Sequence, residues 1–135
     1  MASSSVIQQF LQLTADEKIP ILMYPEHAAA IKASKELAYA ETRRCFGRNG
    51  HNDSSDAFRH CFWSALLTRA IGCAGALRFT TAHESSPTND PAEKAMDLHN
   101  NSIGLKIGRT NGSVQVLSRR CMDALKSGQL KVLAE

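Results

Sequence analysis

No stretch of this chain approaches the ~20 consecutive apolar residues that a membrane-spanning helix needs. Residues 1–10 lack both a basic region and an apolar region, so they do not read as a Sec signal. Aromatic residues make up only 6% of the chain, β-branched residues are sparse and alanine is abundant, which disfavours a sheet and favours close-packed helices. The 16 basic residues barely exceed the 13 acidic ones. A dedicated nucleic-acid binder would carry a clustered basic stripe. The nearest approaches, Arg43-Arg44 with Arg48 and Arg119-Arg120, read as solvated helix ends. Four cysteines, Cys45, Cys61, Cys73 and Cys121, form no C-x-x-C pair. The expectation is reduced, largely buried thiols in a cytoplasmic protein, with no cysteine metal site. H-E-x-x-H is absent too.

What remains is a chain of 135 residues, enough for a single domain with a real core. The expected fold is all-α, one compact domain of five to six helices. Residues 1–13 form a polar lead-in and a short helix, 14–128 the helical domain and 129–135 a tail, extended or helical. Thr14 to Glu17 has the form of a capping box, with Pro20 and Pro25 limiting the helix after it. Glu26 to Cys45 predicts an alanine-rich helix with Ala30, Ala33, Leu37 and Ala40 on one side, ending near Gly47. His27 reads as a surface histidine. A polar loop with Asn49-Gly50 leads to Asp53, Ser54 or Ser55 as the cap of a central helix burying Phe58, Phe62, Leu66 and Ile71 and ending at Gly72. A shorter helix should run from about Ala74 to Glu84, followed by a loop from Pro87. Asp90-Pro91-Ala92-Glu93 predicts the next helix start, fraying near Gly108. Ser113 can cap a last helix striped by Val114, Leu117, Cys121 and Leu125, closed by Gly128.

Three polar clusters interrupt this pattern. Asp56 and His60 are four apart and stand one turn above each other on the central helix, while Arg59 and Trp63 pair the same way on an adjoining strip. His83-Glu84 ends an otherwise apolar helix. Asp97 and Asn101 share a face with Gly104 and Gly108, small residues that let a helix or a substrate approach the backbone. His99 points about 160° away at ~100° per residue, towards either the core or another wall of a pocket. Asn100-Asn101 is a weak helix-forming pair; at least one amide is expected to hold a ligand or a catalytic carboxylate.

Together Asp56, His60, His83, Glu84, Asp97 and His99 put three carboxylates and three imidazoles on three helices. Facing helices of a bundle hold divalent metals with such sets. The same residues also allow a metal-free acid–base site with His60 as base, or a purely structural Asp–His–Arg network.

Asp56-Ala-Phe-Arg-His60, Trp63 to Arg69, Ala82-His-Glu84 and Met96-Asp-Leu-His-Asn-Asn101 with Gly104 occur in that order. This arrangement resembles a family of small helical domains of unknown function, found mainly in bacteria and often at the C-terminal ends of secreted or polymorphic-toxin-like proteins. The resemblance spans roughly residues 14–108. It implies that Asp56, Arg59, His60, His83, Glu84, Asp97, His99 and Asn101 are motif positions. It also implies possible export by a route that needs no signal peptide, and a cognate inhibitor if the chain is a toxin.

The leading expectation is a small hydrolase, metal-assisted, acting on a phosphoester or similar anionic substrate such as phospholipid or nucleic acid. Asp56, His60, Glu84 and Asp97 would hold a divalent ion (zinc, calcium or manganese), which activates a water. Arg59 would clamp the anion, Asn101 would orient a ligand carboxylate or the substrate, and His83 or His99 would pass a proton to the leaving group. The alternatives are a metal-free His/Asp hydrolase or lyase, including one directed at peptidoglycan, and a non-catalytic helical module binding through Trp63, Arg59 and the asparagine pair.

Overall fold

The computed structural model describes residues 18, 21, 24–85 and 90–135. Five helices are described: α1 (His27–Phe46), α2 (Ser54–Ile71), α3 (Cys73–His83), α4 (Pro91–Gly108) and α5 (Val114–Lys126). No strand occurs among the described residues, and the fold is a single all-α domain. The expected helix over Val6–Leu13, the capping box at Thr14–Glu17 and the loop positions from Pro87 to Asn89 lie outside the described residues.

The central helix is α2, which packs against all four others. Ser55 to Phe58 and Cys61 to Thr68 are buried, so the helix has almost no solvent face to be amphipathic about. It starts where Asp53, with extended backbone, accepts the N–H of Asp56, satisfying one orphan donor. It stops at Gly72, whose φ of 86° lies where a side chain would be strained. Phe58, Phe62 and Leu66 are core residues as expected, while Ile71 is only partly buried.

Helix α4 crosses α2 closely because of its glycines. A Cβ on Gly104 would stand 2.1 Å from the Cys61 carbonyl oxygen, and one on Gly108 would stand 2.6 Å from that of Ala65. Only a bare backbone fits, so the partner admitted by this small-residue face is α2. Asp90 accepts the N–H groups of Ala92 and Glu93 with Pro91 in the first turn, and Ser113 caps α5 through Val116 N–H.

In one place the expectation needs correcting. The buried stripe of α1 is Ile31, Ser34, Ala38 and Thr42, whereas Ala33, Leu37 and Ala40 are exposed. Alanine says little about which side faces the core, and Thr42 buries itself by donating its hydroxyl to the Ala38 carbonyl at 2.7 Å. The tail after Gly128, expected to be extended or helical, is without helix. It folds back so that Asn100 Nδ2 donates to Lys131 O at 2.9 Å and Lys131 N–H donates to Asn100 Oδ1 at 2.8 Å. Further on, the N–H groups of Leu133 and Ala134 both donate to Asn52 O. All four cysteines are free thiols; Cys61 and Cys121 are buried in hydrogen-bond contact between α2 and α5, which raises the Cys121 pKa.

Candidate functional site

The first two turns of α2, the C-terminal end of α3 and the second turn of α4 converge. His60 is the meeting point. Its Nδ1 lies 3.0 Å from Asp56 Oδ1 and 3.1 Å from the Asp56 carbonyl, the consequence of the four-residue spacing on one helix. Its Nε2 turns the other way, 3.6 Å from Asp97 Oδ2 and 3.8 Å from Glu84 Oε2. His83, exposed at the end of α3, sets its ring edge-on to Trp63 at 5.1 Å between centroids. Ligand atoms of His60, His83 and Glu84 lie within 4.8 Å of one another, and so do those of Asp56, His60 and Asp97.

Asp56 is 2% exposed and fully occupied. Oδ1 accepts from Arg59 at 2.6 Å and faces His60; Oδ2 accepts the Asn52 N–H at 2.7 Å. Burial alone would raise its pKa, but the His60 hydrogen bond and charge, the Asn52 N–H and the Arg59 charge outweigh this and lower it. Asp56 thereby orients His60, and its ligand atom also stands within 4.8 Å of those of His60 and Asp97. Arg59 is committed in the same way. Its guanidinium donates to Asp56, to the Gly50 carbonyl at 3.1 Å and to Asn49 Oδ1 at 3.3 Å, and it lies over the Tyr39 ring at 4.9 Å. The guanidinium ties the 49–50 loop to Asp56 and also lines the cavity beside His60.

Asn101 and Glu84 form a second buried relay. Ser64 donates to Asn101 Oδ1 at 3.1 Å, which fixes the amide so that its Nδ2 donates to Glu84 Oε2 at 3.0 Å. The expectation that one amide of the pair holds a carboxylate matches this contact. Asp97 is different, because its Oδ1 is buried with no hydrogen-bond partner among the described residues. Burial, with the negative charges of Glu84 and Asp56 nearby, pushes its pKa up to about 6 against the pull of His60 and His83. For His60, burial acts downward, but the Asp56 hydrogen bond and the charges of Asp97, Asp56 and Glu84 push its pKa up to about 9.

His99 does not join this centre. It is exposed, and its Nε2 lies 2.8 Å from the Gln129 carbonyl on the opposite side of α4. The residues brought together are therefore Asp56, Arg59, His60, His83, Glu84, Asp97 and Asn101.

Four contributors escaped the sequence reading. Asn52, at φ 62°, aims its N–H at Asp56; asparagine tolerates that conformation, and the polar loop before the helix is the one signal. Ser64 looks like any small core residue. Lys35 and Tyr39 come from α1 and, with Ala38, Arg59, Trp63, His60 and His83, line a cavity of about 120 Å3.

Residues 18–129 match the family described as a domain of unknown function, DUF6973, and the chain belongs to that family. No solved structure matches it.

Proposed function

We propose that this chain is a metal-assisted hydrolase of a phosphoester or a similarly anionic substrate. The carrying observation is the spacing around His60 Nε2. At 3.6 and 3.8 Å from two carboxylate oxygens it is too far for a good hydrogen bond. These separations are close to the ~3.4 Å edge of a tetrahedron with metal–ligand bonds of ~2.1 Å. The unanswered Oδ1 of Asp97 fits the same reading, since a buried carboxylate oxygen without a donor is costly unless a cation or a proton meets it.

The ligand set then becomes His60, His83, Glu84 and Asp97. Asp56 moves out of the set: it accepts from His60 Nδ1 and so fixes which ring nitrogen faces the ion, as carboxylate partners of metal-bound histidines do. Asn101 holds Glu84 in place, and Arg59 holds Asp56. A bound divalent cation, whether zinc, calcium or manganese, supplies a water activated near neutral pH and a positive charge for the scissile group. His83, the most exposed of the four, is placed to yield its position to the substrate or to move a proton at the rim. A toxin-like role with a cognate inhibitor belongs to this same proposal and is supported by the sequence resemblance alone.

A metal-free reading has its own support. His60 and Asp97 face each other with pKa values pushed to about 9 and about 6, the separated pair that acid–base catalysis uses. One experiment divides the two. Metal content is measured on purified protein, and turnover of bis(p-nitrophenyl) phosphate is followed before and after chelation. The metal-assisted reading expects stoichiometric metal, chelator-sensitive turnover and a loss of roughly 10²–10⁴-fold in His60→Ala. Chelator-resistant turnover that still needs His60 transfers the function to the metal-free site. Full activity in His60→Ala overturns both.

A further inference from the structure

Two sets of arginines contrast on this molecule. Arg44, Arg48 and Arg59 each sit on a carboxylate, of Glu41, Asp53 and Asp56 respectively. Arg69, Arg109 and Arg120 gather around the loop from Thr110 to Gly112, and none of the three has a carboxylate partner among the described residues. Arg69 donates through Nε to the Gly112 carbonyl at 3.2 Å, and Arg120 donates through a terminal nitrogen to the Thr110 hydroxyl. Each bond holds its guanidinium against the loop and leaves the other two nitrogens without an acceptor among the described residues. The Arg109 guanidinium has no acceptor among them.

Arg69 and Arg109, with Thr68, Thr110 and Asn111, line a groove between the end of α2, the start of α3 and the loop after α4. No carboxylate lines it among the described residues. Like charges around one short loop repel one another, and a groove with an excess of one sign concentrates ions of the other. Helix dipoles do not supply the balance. The C-terminal ends of α2 and α4 meet the N-terminal ends of α3 and α5 here, so their partial charges oppose one another and the guanidiniums set the sign. Arg120 stands in the middle of α5, where the dipole gives no reason for a cation. The groove is also separate from the centre around His60. Arg69 is further along α2 by nine residues, about 14 Å down the axis at 1.5 Å per residue and roughly 180° round it at ~100° per residue.

We propose that this groove is a second site, which takes a phosphomonoester group or free phosphate. A planar guanidinium fork donates two parallel bonds to a phosphate. Three forks around one loop match an anion with several oxygens and about two negative charges near pH 7. A carboxylate, with two oxygens and one charge, meets only one fork well. The site stands apart from the hydrolytic reading, and either can fail alone.

The test is an NMR titration of isotope-labelled protein at constant ionic strength, read at the Gly112 amide and the Arg69 Nε–H. The probes are inorganic phosphate, glycerol phosphate and acetate. Vesicles of phosphatidylcholine with phosphatidic acid present the same group as a lipid. Both soluble phosphates should give saturable shifts at these two positions, and acetate should bind roughly tenfold more weakly. Arg109→Gln changes an exposed side chain that has no partner to lose among the described residues, and it should weaken phosphate binding roughly fivefold to tenfold. Arg119→Gln removes the same charge from the groove between α1 and α5 and should leave the affinity within about twofold, because solvent and salt screen an exposed charge outside the site. Saturation by a soluble phosphate assigns a soluble ligand. Vesicle binding that Arg109→Gln weakens, without such saturation, keeps the site and assigns a lipid headgroup. The proposal is overturned if no phosphate probe binds, if acetate binds as tightly, or if the shifts are confined to residues around His60. It is overturned equally if Arg109→Gln leaves binding unchanged or if Arg119→Gln weakens it as much.

Discussion

Asn100 and Asn101 are neighbours on α4, both buried, and they serve opposite sides of the molecule. Asn101 faces α2 and α3, where Asp97 shares its side of the helix and Gly104 brings the two backbones together. Asn100 faces the tail, and both its amide atoms are met by the main chain of Lys131. His99, next to it, is likewise turned to the tail at Gln129. The tail face is a closed account in which each polar group named has a partner. On the other face Asp97 keeps an oxygen with no partner among the described residues, and His60 Nε2 stands 3.6 and 3.8 Å from two carboxylate oxygens. Polar groups inside a helical core do not by themselves mark a site. What separates the two faces is whether the fold has already answered those groups.

The contrast can be broken experimentally, and the largest effect should come from the helix crossing itself. In Gly104→Ala the added methyl meets a backbone carbonyl, which cannot rotate away as a side chain would. The gain in helix propensity, up to ~1 kcal/mol, is outweighed, and urea unfolding should show a net loss of roughly 3 kcal/mol. A variant as stable as the parent would mean that α4 is free to lift off α2.

The asparagines come next. Asn100→Ala leaves the Lys131 N–H and C=O without their partners and should cost about 2 kcal/mol while leaving metal affinity unchanged. Asn101→Leu removes the donor to Glu84; it should lower metal affinity about 10–100-fold and leave amide exchange protection of the tail at its parental level. Calorimetric metal titration of the two variants decides the matter. If Asn100→Ala weakens the metal as much as Asn101→Leu does, the two faces are one coupled network and the distinction fails.

Much of this arrangement is legible in the sequence because helix geometry is local. The i, i+4 spacing alone put Asp56 over His60, the glycine run on α4 announced a close approach, and the caps at Asp90 and Ser113 follow from residue type at the right offset. The parts that were not legible depend on partners far away in the chain. Nothing at Arg59 signals that a loop ten residues upstream occupies its guanidinium. Nothing at Asp56 signals that the Asn52 N–H meets its second oxygen. His99 carries the same side chain as His60, and only the return of the tail decides that its partner is a backbone carbonyl. In α1 the alanines sit on several sides, so the pattern did not fix the rotation. The core instead selected the side carrying Ile31 and Ala38.

The smallest expected effect lies at Asp53, which sits where the two regions meet. The residue before it, Asn52, accepts the tail through its carbonyl and supports Asp56 through its N–H, and Asp53 itself caps the helix that carries the site. Partial burial would raise its pKa, but hydrogen bonds from Ser55, the Asp56 N–H and Arg48 reverse this and hold it at about 2, below the usual 3.8. The sign follows from that depression. The ionised cap is favoured in the folded chain, so its contribution is fully present above pH 3.8 and is lost as the pH falls through about 2. Asp53→Ala should therefore lower stability by about 1 kcal/mol at pH 6, and the parent and the variant should converge near pH 2. The check is a pair of urea unfolding series between those two pH values. A gap that persists at the acid end would show that Asp53 supports the junction through packing rather than as a charged cap. The loss on substitution should then extend to the tail contacts at Asn52 and not be confined to the first turn of α2.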